Sequence, residues 1–220
     1  MQAEIGIGGF TSYRKERSSF KEGKAGGVIL YVKNDIVSYE YSELNILKSE
    51  SVWCRVNTAS KETINIGVCY RSQAAENDEV KELFKAIETA SNELVLIMGD
   101  LNYPKINWET LECDSNGLLF RDSQLDLLQS VRDPTRENNI LDLAISSDVN
   151  LVTEVNVLEQ LGKSDHIIII WKLICNVGLT KTKLPVTQYH EANFGAMKIW
   201  FQGTKWADEF DGLDVEDAWL

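Results

Sequence analysis

Leu94-Val95-Leu96-Ile97-Met98-Gly99-Asp100-Leu101-Asn102 is an apolar run that ends in a glycine, a carboxylate and an amide. So short a run, apolar without alternation, reads as a strand buried on both faces. A strand of that kind needs packed layers on either side, which points to an α/β fold. Gly99 lets the backbone turn as the strand ends. Asp100 and Asn102 lie two apart, so in extended chain both point to one side. A carboxylate beside an amide can take a proton or cation and also hold a phosphate oxygen. The plainer reading is an Asp/Asn turn after a strand, which is common in any α/β protein.

Two further motifs sit at the ends of other apolar runs. Ser164-Asp165-His166 precedes Ile167–Trp171, and Asp142 lies within Leu141-Asp142-Leu143-Ala144-Ile145-Ser146. A histidine at a strand start is commonly structural. A carboxylate between two leucines, however, needs a polar partner if it is buried. His166, one of only two histidines, is a natural one. A carboxylate bound to one imidazole nitrogen fixes the tautomer and aims the other nitrogen. Carboxylates, an amide and an imidazole, all at strand ends, make a candidate hydrolytic site along one rim of an α/β sandwich.

The remaining chain supplies the elements around that rim. Residues 1–26 are polar, with a basic cluster at Arg14, Lys15, Arg17, Lys21 and Lys24, and read as loop. Val28–Val32, Ile36–Tyr41, Val52–Val56 and Ile64–Tyr70 read as four strands joined in an antiparallel meander. Val80, Leu83, Phe84 and Ile87 follow the spacing of one helical face, with Asn77 or Asp78 as the cap. A leucine-rich helix is expected around 118–128, and strands at Leu141–Ser146, Leu151–Leu158 and Ile167–Ile174. Beyond residue 176 a Lys/Thr/Pro linker leads to an acidic tail with Trp200, Phe201, Trp206, Phe210 and Trp219.

Composition narrows the function classes. At 220 residues and 44% apolar content the chain can build one substantial core. No apolar run is long enough to span a bilayer, and the N-terminus lacks a signal-peptide pattern, so no membrane role and an intracellular location, nucleus or cytoplasm, are expected. The four cysteines form no metal-binding spacing. Net charge is −12, with 15 acidic against 6 basic side chains in residues 81–160. That argues against tight nonspecific nucleic-acid binding. It fits either a cation site or a solvated acidic surface.

Taken in order, Gly26-Gly27-Val28 through Val32, Val68-Cys69-Tyr70-Arg71, Gly99–Pro104, Asp133-Pro134-Thr135-Arg136 through Leu143, and Ser164-Asp165-His166 resemble the endonuclease/exonuclease/phosphatase superfamily. Within it the set is most similar to the endonuclease domain of non-LTR retrotransposons. The resemblance covers roughly residues 10–175. It implies a four-layer α/β sandwich and Mg²⁺-dependent hydrolysis of a DNA phosphodiester. It divides the chain into an endonuclease-like domain at 1–175 and, at 176–220, a tail like the segment that precedes a reverse transcriptase, the partner domain in a complete element. Glu191-Ala192-Asn193-Phe194 and Trp206 carry that last likeness.

The same resemblance assigns roles. Asp100 would orient or deprotonate the attacking water, or protonate the leaving oxygen. Asn102 would hold a phosphate oxygen. His166, oriented by Asp142, would stabilise developing charge, and Asp165 would help bind the metal. Tyr70 would lie near the scissile phosphate, and Thr135 would support the site by hydrogen bonding. The family pattern also opens with strands bearing an Asn and a Glu that is a principal Mg²⁺ ligand. Met1–Gly8 is too short to hold them, and Glu4 stands in a different context. The expectation is therefore a fold lacking its first strands. Its function is either DNA nicking or, with the Glu missing, that of an inactive remnant acting, if at all, as a binding or interaction protein.

Overall fold

The computed structural model describes residues 6–17, 26–59, 61–114, 117, 120, 127–175, 195, 198 and 202–204. The chain divides into two compact units, residues 1–181 and 182–220. The expected aromatic tail, Glu191–Phe194, Lys21, Lys24, Glu4 and most of the expected leucine-rich helix lie outside the described residues. No helix among those residues is long and apolar enough to cross a membrane.

A six-stranded sheet organises the first unit. In chain order its strands are β3 (Ser38–Glu40), β4 (Ser51–Asn57), β5 (Thr63–Cys69), β6 (Leu94–Asp100), β7 (Leu128–Gln129) and β8 (Asp142–Ser146). Their spatial order is β3-β4-β5-β6-β8-β7. Only β5 and β6 are parallel, and the helix α2 (Asn77–Ala90) makes the crossover between them. The short helix α1 (Ser42–Asn45) links β3 to β4.

Both faces of this sheet are covered, as the unbroken apolar runs require. Val95 and Ile97 of β6 and Leu143 and Ile145 of β8 join Trp53, Leu83, Ala86 and Ile87 in the core under α2. The alternate residues Leu96 and Ala144 join Cys54, Val56, Ile64 and Ile66 in a second core on the other face. Two separate hairpins close that face. One pairs β1 (Phe10–Glu16) with β2 (Gly27–Lys33), and the other pairs β9 (Val152–Gln160) with β10 (Ile167–Leu173).

Three sequence expectations are corrected. Residues 10–16 are a strand rather than loop. They were missed because the strand is exposed and polar, with only Tyr13 and Lys15 half-buried along its length. The meander begins at β3: Val28–Val32 pairs with β1 in its own sheet and makes no ladder with the next strand. Finally, the residue that precedes the first turn of α2 is Glu76, whose side chain makes no capping hydrogen bond.

Candidate active site

The register of one strand pair sets the site. β6 and β8 run antiparallel with Asp100 directly opposite Asp142. Side-chain alternation puts both on the face that carries Leu96 and Ala144, the face covered by the hairpins. His166 stands immediately before β10 and meets them from the hairpin side. Its Nδ1 lies 2.7 Å from Asp142 Oδ2, and its Nε2 lies 3.8 Å from Asp100 Oδ2. The imidazole is thus bracketed by two carboxylates. Ligand atoms of all three residues lie within 4.8 Å of one another.

Each member is held by a second group. Thr135 is fully buried, and its Oγ1 accepts hydrogen bonds from the backbone N–H groups of Leu141 and Asp142, both at 3.0 Å. That fixes the entry into β8. The Thr135 carbonyl accepts from Ile167 N at 3.1 Å, which ties the start of β10 to the same point. The Ser164 hydroxyl accepts from His166 N at 3.1 Å.

Asn102 is buried, in the left-handed region at φ 50°. Its backbone N–H donates to Asp100 Oδ1 at 3.0 Å, and its amide Nδ2 donates to Asp100 Oδ2 at 2.9 Å and to Arg71 O at 3.0 Å. Both amide hydrogens are therefore engaged within the protein. In this arrangement Asn102 is a holder of Asp100, and its amide oxygen faces Gln73 Nε2 at 3.5 Å.

Asp100 carries the unusual electrostatics. Burial raises its carboxyl from the ordinary 3.8, and the facing charge of Asp142 raises it further. His166 and the two Asn102 donors oppose the shift, and the result is about 6. Two carboxylates opposite each other on a half-buried sheet face repel, so one is driven toward the protonated form. A carboxyl tuned into this range can take and return a proton near neutral pH.

Asp100 and His166 open onto a cleft of about 490 Å³, lined also by Tyr70, Gln73, Asn102 and Arg136. Asp165 stands apart. Its side chain is 66% exposed and forms an ion pair with Arg136 at 2.6 Å, outside the group of three possible ligands. Arg136 and Gln73 were not singled out by sequence. Arg136 stands in Pro134-Thr135-Arg136, and nothing in that stretch of sequence shows that it faces the cleft.

Residues 64–170, which contain Asp100, Asn102, Thr135, Asp142 and His166, match a family model described as endonuclease-reverse transcriptase. Among solved structures, the chain is similar to the endonuclease domain of TRAS1, a telomere-specific non-LTR retrotransposon. The TM-score is 0.59 at 16% identity, over 76% of this chain and 81% of that one. It is also similar to the catalytic domain of Xenopus laevis APE2, with a TM-score of 0.50 at 14% identity, over 78% and 77% of the two chains. No curated protein sequence matches.

Proposed function

We propose that this chain hydrolyses phosphodiester bonds in DNA at the rim formed by Asp100, Asp142 and His166, with help from a divalent cation. The observation that carries the reading is the bracketed imidazole. Asp142 accepts from the Nδ1 side of His166 at 2.7 Å, which leaves Nε2 directed toward Asp100 and the cleft. An imidazole oriented in this way can hold a phosphate oxygen and stabilise the charge that builds up there. Asp100 lines the cleft beside His166 and can take the proton of an attacking water. Tyr70 lines the same cleft and supplies a phenol for a phosphate oxygen. The match to an endonuclease-reverse transcriptase family and the likeness to a retrotransposon endonuclease support nucleic acid as the substrate class.

The donor set fits a divalent cation. Two carboxylates and an imidazole converge within 4.8 Å, and hard cations such as Mg²⁺ take carboxylate oxygens. Asp100 and Asp142 would hold the ion; when bound, it would polarise a phosphate oxygen. With Asp165 turned to Arg136, two carboxylates serve this group among the described residues. Affinity for Mg²⁺ is then expected to be weak, on the order of millimolar.

The test is nicking of supercoiled plasmid by the full chain across a Mg²⁺ titration. Relaxation that saturates only at millimolar Mg²⁺, and that is lost by about a hundredfold or more in Asp100→Asn and His166→Ala, is the expected result. Absence of cleavage by the unmodified chain at any Mg²⁺ concentration favours the binding-protein reading instead.

A further inference from the structure

The segment Tyr70–Ser72 is a wall between two spaces, both of which Tyr70 and Ser72 line. On one side is the cleft, which Tyr70 lines. On the other is a cavity of about 20 Å³ lined by Glu50, Tyr70, Arg71, Val80 and Leu83 among others. The groups that hold this wall come from outside the site. Arg17, the residue after β1, places its Nε 2.5 Å from Glu50 Oε1 and its guanidinium carbon 5.1 Å from the centre of the Tyr70 ring. Glu50 in turn accepts from Tyr70 N through its backbone oxygen at 2.8 Å. Tyr70 is therefore gripped at its ring by Arg17 and at its backbone by Glu50.

Arg71 continues the chain of contacts toward Asp100. It donates from Nη1 to the Asn102 carbonyl at 3.0 Å and stacks 4.1 Å over the Tyr103 ring. Its carbonyl accepts from Asn102 Nδ2, and its N–H donates to the Asp100 carbonyl at 2.9 Å. Glu50 Oε2 and Arg71 Nε are both buried without a hydrogen-bond partner among the described residues. Both residues line the small cavity. Glu50 pairs with Arg17 through its other oxygen, and each of these two buried atoms carries a desolvation cost. Their retention beside the wall is hard to explain by packing, since apolar side chains would fill the cavity at less cost.

We propose that Arg17, Glu50 and Arg71 are positioning residues: Arg17 and Glu50 clamp Tyr70, and Arg71, through Asn102, holds Asp100 in place against His166. The inference rests on the hydrolytic reading above and extends it. It makes the β1–β2 hairpin, which holds none of the three reacting groups, a determinant of turnover.

The experiment uses the full chain with Arg17→Met, Glu50→Gln, the double variant and Arg17→Lys. Plasmid nicking gives kcat and KM, and 3-fluorotyrosine labelling gives a fluorine resonance for Tyr70, assigned with Tyr70→Phe. Small misplacements of reacting groups cost rate more than binding, so each single variant is expected to lose about tenfold to a hundredfold in kcat with KM within about twofold. The double variant should be no worse than either single one, because the two residues act as a unit. Arg17→Lys should recover part of the rate. The Tyr70 resonance should move and broaden in Arg17→Met and Glu50→Gln when recorded well below the thermal midpoint of each variant. An unmoved resonance, or an unchanged kcat in both variants of a cleaving protein, overturns the proposal. If the unmodified chain does not cleave, the hydrolytic reading fails on its own, and the resonance alone decides the clamp.

Discussion

Asp100 concentrates the conflict at this site in one side chain. In the fold its carboxyl titrates near 6, against 3.8 for an unperturbed one. The folded state therefore holds that proton more tightly than the unfolded chain does. The corresponding stability is complete below about pH 4 and is lost as pH rises through 6. Asp100→Asn removes the titration. Without metal, the unmodified chain should lose about 2 kcal/mol relative to Asp100→Asn between pH 4 and pH 7.5. Urea unfolding at the two pH values measures this, and parallel curves would refute it. The sequence revealed Asp100, Asp142 and His166 because each borders an apolar run. It could not show that Asp100 faces Asp142, because register is a property of strand pairing. Nor could it show that Asp165 pairs with Arg136 while its neighbour His166 pairs with Asp142.

At the scale of elements, hydrophobic pattern was a good guide where an element is buried and a poor one where it is exposed. β6 and α2 were legible because each must satisfy a core, β6 on both faces and α2 on one. β1 was not, since its polar residues carry no periodic apolar signal. The start of α2 shows a different limit. Asn77 and Asp78 are good capping residues, yet the chain turns into the helix one residue earlier. Glu76 has extended φ and ψ of −70° and 151° and makes no side-chain cap. Glu76→Ser supplies a short hydroxyl at that position. It should stabilise the protein by about 0.5–1 kcal/mol with an unchanged denaturant slope, as read from urea midpoints.

Across the whole molecule, stability is unevenly distributed. The six-stranded sheet has a core on each face, whereas each hairpin is only two strands wide. A two-stranded hairpin is marginal by itself and depends on what lies beneath it. Native-state hydrogen exchange should therefore find the amides of β5 and β6 opening only with global unfolding, and those of β1–β2 and β9–β10 opening at lower free energy. Uniform protection across the ten strands of the described residues would contradict this. Since His166 rides on one hairpin and Arg17 on the other, the candidate site draws parts from both the rigid and the less protected portions of the molecule.

Gly99 separates two kinds of necessity that sit side by side in the chain. Its φ is +128°, and a Cβ there would lie 2.0 Å from the Cys69 carbonyl oxygen. Any side chain collides with the backbone of the neighbouring strand. Asp100, the next residue, is constrained in the opposite sense: its charge costs stability at neutral pH, and neutral replacements relieve that cost. In a mutational scan read by cellular abundance, codon 99 should tolerate no replacement and codon 100 several. Read by DNA cleavage, both should fail. The two readouts together would tell an inherited scaffold from a working site.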